Sequence, residues 1–228
     1  ASDDQHDYTS CIRRIYKSDD AEKAFTILAP NTTCAGIHIT LPVVAPDAET
    51  LETLLPEEVT ALEAFNFYQE WDSGYSKQQS TRPQTLGYAL ADSPTGQMAW
   101  IIEKYAQWCD CEVNGLRHPE NAINRDELLD TVMLYWLTNS GASSARLYWE
   151  SFNNPDMSEV ELSTAISLFP NEIFRSSERW ARKKFLNLHY FNDQIAKGGH
   201  FSALEVPDIL AQELWQWRDR LRALEVVA

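Results

Sequence analysis

The chain has 228 residues, enough for one large domain or for a core carrying an insertion. Its 44% hydrophobic and 11% aromatic content is ordinary for a globular protein and supplies a bulky, ring-rich interior. A formal charge of −15, carried by dispersed carboxylates, argues against nucleic acid or anionic lipid as a partner.

In chain order, residues 1–20 are polar, and the acidic opening Ala1-Ser2-Asp3-Asp4 is unlike a signal peptide. Without an initiator methionine, the start is expected to be processed or internal to a longer chain. Residues 19–29 are expected to form a helix, with Ala24, Phe25 and Leu28 on one side. From Cys34 to Leu41, Ile37, Ile39 and Leu41 alternate as in a strand, and Pro42 stops it. His38, inside that strand, is expected to be structural.

The pattern from 43 to about 155 is helical. Pro56-Glu57-Glu58 opens a helix that buries Leu62, Phe65 and Tyr68 and ends at Ser73-Gly74. Ser93-Pro94 supplies an N-cap and a first-turn proline for a helix to about Trp108. Residues 112–123 are expected to be a polar loop, Asn124 to cap a third helix, and Ser143 to Phe152 to form a fourth. Strand character then returns at Val160, Leu162, Thr164 and Ile166. Ser177 opens a short helix, Phe185 to Phe191 is a strand, and a final helix starts near Pro207. The order predicts an α/β core interrupted by a helical insertion.

No apolar run reaches the roughly 18–20 residues of a membrane span. Four cysteines lie at 11, 34, 109 and 111. Cys109-Asp110-Cys111 has one residue between its thiols and no histidine pair nearby, so no metal is expected. Reduced thiols fit a cytoplasmic location.

Gly198-Gly199-His200-Phe201 turns the backbone sharply and is expected to leave His200 exposed at a loop tip. Upstream, Glu172 follows Phe169-Pro170-Asn171, just past a predicted strand. A loop histidine with a carboxylate at the preceding strand end makes two thirds of a hydrolytic triad. No clean nucleophile accompanies them, and no Gly-x-Ser-x-Gly occurs.

Four segments occur in a shared order. They are Arg82-Pro83-Gln84-Thr85-Leu86-Gly87-Tyr88-Ala89-Leu90-Ala91-Asp92-Ser93-Pro94, Tyr135-Trp136-Leu137-Thr138 with Gly141-Ala142-Ser143-Ser144-Ala145-Arg146-Leu147-Tyr148, Phe169-Pro170-Asn171-Glu172, and Gly198-Gly199-His200-Phe201. Over about residues 34–224 the chain resembles the microsomal-type epoxide hydrolases of the α/β-hydrolase fold. The resemblance covers the cap and the C-terminal core. It implies a partial core of about three parallel strands with flanking helices and an inserted all-helical cap. The expected division is a degenerate nucleophile region plus one strand at 1–42, the cap at 43–155, and the C-terminal core at 156–228.

That family opens an epoxide with an aspartate while two cap tyrosines hydrogen-bond the ring oxygen. A histidine steadied by an acid then hydrolyses the ester, with no cofactor or metal. By resemblance, His200 is the base, Glu172 its orienting acid, and Tyr75 and Tyr148 the oxygen donors. The family's Gly-Gly-Asp-Trp-Gly nucleophile motif has no counterpart here. An ungapped count places it on Arg14-Ile15-Tyr16-Lys17-Ser18, and Asp7 in Gln5-His6-Asp7-Tyr8 is a loose alternative. The expected partners are an apolar or aromatic epoxide and an N-terminal fragment that completes the site. Self-association through an exposed strand edge is the other expectation. A non-catalytic binder of apolar ligands is the alternative reading.

Overall fold

The computed structural model describes residues 34–152 and 157–224. The helix expected at 19–29, and Asp7, lie outside the described residues. Strand β1 (Ile37–Ile39) occupies the middle of the predicted stretch and stops short of Pro42.

The helical block follows. Helix α1 (Ala48–Leu51) is capped by Asp47, whose Oδ1 accepts the Thr50 N–H at 2.9 Å. Helix α2 (Pro56–Phe67) starts on its proline, and Glu58 Oε2 turns back to accept the Leu55 N–H at 2.9 Å. Its hydrogen bonding then widens into a π turn over Tyr68–Asp72, a local feature common at functional sites. The expected stop at Ser73-Gly74 instead leads directly into α3 (Gly74–Thr81), followed by α4 (Pro83–Asp92). The caps of α5 (Pro94–Trp108) and α6 (Arg125–Leu137) are those predicted. Ser93 Oγ accepts the Gly96 N–H and Asn124 Oδ1 the Glu127 N–H, each at 3.0 Å. Helix α7 (Gly141–Ser151) begins two residues before the expected Ser143.

The insertion is not all-helical. Glu112–Val113 and Leu116–Arg117 form an antiparallel hairpin where a polar loop was expected. Its turn is Asn114-Gly115, with φ of 54° and 78°. Both values are left-handed, as a two-residue type I′ turn requires. Arg117 then donates to the carbonyls of Ala106, Gln107 and Cys109, satisfying orphan acceptors at the end of α5.

Strand β2 (Thr164–Ser167) is buried at every residue. Val160 and Leu162, expected to alternate along it, precede it, and Val160 makes only an isolated bridge to Phe185. Helix α8 (Glu178–Lys184), capped by Ser177, crosses over to β3 (Leu188–Asn192). The short α9 (Ser202–Glu205) and the long α10 (Pro207–Ala223) close the described chain. The three strands form one parallel sheet in the order β1-β2-β3. A central strand buried on both faces is what a sheet covered by helices on both sides demands.

One face packs Val160, Ile166, Leu168, Ala181, Phe185 and Leu188 together, and the other packs Ala165 and Tyr190 against Trp217 and Leu221 of α10. His38 takes its structural place here. Its Nε2 lies 2.9 Å from Ser167 Oγ, which donates to Glu213 Oε2 at 2.6 Å. Tyr190 and Asn192 also donate to that buried carboxylate. Burial lowers the His38 pKa.

Candidate active site

Two loops leave the carboxyl ends of β2 and β3 side by side, the position where open parallel sheets present ligand-binding groups. The first carries Glu172, the second His200. The loops touch through an Asn171–Gly199 bridge, with the Asn171 N–H donating to Gly198 O at 3.1 Å. His200 Nδ1 lies 2.7 Å from Glu172 Oε1. In the tautomer with its proton on Nδ1, the ring donates to this carboxylate and Nε2 is unprotonated. Glu172 Oε1 also accepts the Ile173 N–H at 2.7 Å. Its Oε2 is fully covered and has no hydrogen-bond partner among the described residues.

His200 is not at an exposed tip. Its side chain is 25% accessible and the Glu172 side chain 0%. The double glycine brings the loop close to other chain rather than projecting it. Gly198 has φ of 110°, and a Cβ on Gly199 would stand 2.3 Å from the Trp108 carbonyl oxygen. The His200 N–H donates to that carbonyl at 3.0 Å. Gly198 N–H donates to Asp110 Oδ2 at 3.0 Å. The end of α5 therefore forms the second wall of the histidine loop.

Aromatic rings connect this wall to the two tyrosines. The Trp108 ring meets His200 edge-on with centroids 5.2 Å apart and Tyr75 at 5.4 Å. Tyr75 meets Tyr148 at 5.7 Å, again edge-on. Trp108 Nε1 donates to Asp72 Oδ2 at 2.8 Å, and Lys104 Nζ lies 3.4 Å from Asp72 Oδ1 and 4.9 Å from the Tyr75 ring centre. Tyr68 OH donates to Tyr75 OH at 3.3 Å. Burial, and then the neighbouring Tyr148, push the Tyr75 phenol well above its ordinary range. Burial also raises Tyr148, opposed by hydrogen bonds with Tyr75 and Gln79.

The structure thus brings His200 and Glu172 into contact and sets Tyr75 beside Tyr148, with Trp108 between the two pairs. Asp72, Lys104 and the Trp108 carbonyl were not anticipated. Asp72 was visible as a carboxylate three residues before Tyr75. A backbone carbonyl leaves no sequence signal. Among the described residues no group of three or more His, Cys, Asp or Glu could hold a metal ion, and no helix is long and apolar enough to cross a membrane.

A helix-flanked parallel sheet with a histidine and its acid on adjacent strand-end loops, under an inserted helical block, is the architecture of the α/β-hydrolase class. The chain is a homologue of the epoxide hydrolases of that fold. It is 45% identical over 83% of its length to a Stigmatella aurantiaca protein that is an epoxide hydrolase by name. It is 38% identical over 63% of its length to epoxide hydrolase 1 of Sus scrofa. It spans 42% and 33% of those two relatives. The Aspergillus niger epoxide hydrolase structure matches with a TM-score of 0.72 and 28% identity, covering 87% of this chain and 49% of that one. Juvenile hormone epoxide hydrolase from Bombyx mori shares the fold with a TM-score of 0.78 at 24% identity, covering 95% of this chain and 58% of that one. No family model matches the chain.

Proposed function

We propose that this chain carries the water-activating and oxygen-donating groups of an epoxide hydrolase, acting on an apolar or aromatic epoxide to give a vicinal diol. The carrying observation is the 2.7 Å His200–Glu172 pair joined through the Trp108 ring to the Tyr75–Tyr148 pair. In this reading residues 43–155 are the cap and 156–228 the core that bears base and acid. Tyr75 and Tyr148 donate to the ring oxygen as charge develops on it. An aspartate attacks carbon to form an ester as the ring C–O bond breaks, and the alkoxide takes a tyrosine proton that is later replaced by the proton leaving His200. His200 Nε2 takes a proton from water, and the resulting hydroxide cleaves the ester.

The nucleophile is assigned outside the described residues, on a complementing N-terminal fragment or on Asp7. The buried free thiols of Cys109 and Cys111 support a reducing, cytoplasm-like compartment. Association through the β1 edge is the remaining partner reading.

Ester trapping tests the proposal. The His200→Gln variant is incubated with styrene oxide, alone and with a fragment carrying Gly-Gly-Asp-Trp-Gly, and peptides are mapped by mass spectrometry. The expected result is an ester on the fragment's aspartate, no ester on Asp7, and diol formation only when the wild-type chain and fragment are mixed. An ester on Asp7 in the chain alone would assign the nucleophile there. The absence of ester and diol in every mixture would refute hydrolase function. In that case, a rise in melting temperature with styrene oxide would identify a non-catalytic apolar-ligand binder.

A further inference from the structure

The base-bearing loop is held from a side that the His200–Glu172 contact does not explain. Glu205, on α9, is half-buried, and its two carboxylate oxygens serve two different stretches of chain. Oε2 accepts the Asp110 N–H at 2.6 Å, and Oε1 accepts the Phe201 N–H at 2.9 Å. Asp110 lies just past the end of α5, and Phe201 directly follows His200. Asp110 makes a second tie to the loop, its Oδ2 accepting the Gly198 N–H at 3.0 Å. The His200 N–H reaches Trp108 O, and the Phe201 ring stacks on Tyr105 of α5 at 3.9 Å and 7°. Backbone on both sides of the imidazole is therefore tied to the end of α5.

The geometry points to Glu205 as a positioning residue for His200: by bridging Asp110 and Phe201 it fixes the loop against α5 and holds the imidazole in line with Glu172. The role depends on the reading of His200 as the base, but not on turnover. Only a carboxylate suits the position. A glutamine has one acceptor oxygen, and its amide would set N–H against N–H at the other contact. A carboxylate accepting backbone N–H groups also makes stronger bonds than a neutral acceptor. Gly199 belongs to the same device, since its missing Cβ leaves Glu205 Oε1 room to approach, 3.1 Å from where that atom would stand.

The test is proton NMR on the ligand-free 228-residue chain. The hydrogen-bonded His200 Nδ1 proton is identified by its loss in His200→Gln, and its exchange with water is measured. Glu205→Gln should keep the far-UV circular dichroism of the wild type and speed that exchange at least tenfold. The surface variant Glu178→Gln should change nothing. An unchanged exchange rate in folded Glu205→Gln overturns the proposal. If that variant does not fold, Glu205→Asp keeps both oxygens on a shorter stem and is expected to show the same acceleration. Unchanged exchange there, or failure of both variants to fold, makes Glu205 a structural residue and rejects the positioning role. The measurement needs no substrate, so missing diol formation would sink the hydrolase reading alone, and unchanged exchange this one alone.

Discussion

Tyr75 and Tyr148 hold their phenols where losing a proton is difficult. Burial lifts both above the ordinary tyrosine value. An acid that must donate a hydrogen bond throughout the working range benefits from this, because it stays protonated. A raised folded pKa means the donor form persists as pH rises. Hydrolysis by the complemented protein should therefore show no alkaline loss from tyrosine ionisation up to about pH 10. Replacing either ring by phenylalanine should lower the rate of ester formation roughly 10²- to 10⁴-fold, the usual contribution of a positioned proton donor. Single-turnover quench with mass detection of the ester measures that step directly.

Among the elements, the hairpin at 112–117 matters beyond its size, since Arg117 caps the end of α5 and so steadies Trp108. Gly115 sits at φ 78°, which a β-branched side chain resists. Gly115→Val should cost about 1–2 kcal/mol, read as a lower urea midpoint with an unchanged slope in tryptophan fluorescence. The Asn114-Gly115 dipeptide is a strong hairpin signal that the polar composition of 112–123 obscured. Caps were legible for a local reason: Ser93, Asn124 and Ser177 each bond an N–H three residues onward, within the reach of a short pattern. Strand β2 was displaced because burial on both faces removes the alternation used to place it. His200, Glu172 and Tyr148 stood out through matched segments and Tyr75 through the family resemblance, whereas Asp72–Trp108 and Glu205–Asp110 join residues far apart in the chain, which no local spacing reveals.

At the scale of the whole molecule, the helical block must stay seated on the sheet layer if base and tyrosines are to share one site. A polar joint outside the site contributes to this. Glu58 of α2 accepts from Ser177 Oγ and Arg179 Nε, each at 2.6 Å, with a second bond to Arg179 Nη2, and Trp180 Nε1 donates to Thr50 Oγ1 at 2.9 Å. Chiefly through the Arg179 hydrogen bonds, the Glu58 pKa falls from 4.5 to about 2. A depressed folded value means the stabilisation is complete above the unfolded pKa and disappears as pH falls through the folded one. The joint should therefore hold fully above about pH 4.5 and weaken toward pH 2. Arg179 is 33% exposed, so solvent screening reduces the contribution to on the order of 1–2 kcal/mol. Asp47, bonded to Lys183 at the same junction, is also held at about 2 and titrates in the same direction. Glu58→Gln isolates the first pair, because Asp47 is common to both proteins. Melting curves at intervals from neutral pH downward should show the variant less stable than the wild type at pH 7, with the gap closing below pH 4.5 as protonation removes the same charge from the wild type. A gap that stayed constant across that range would mean the Glu58 carboxylate charge does not hold the two layers together.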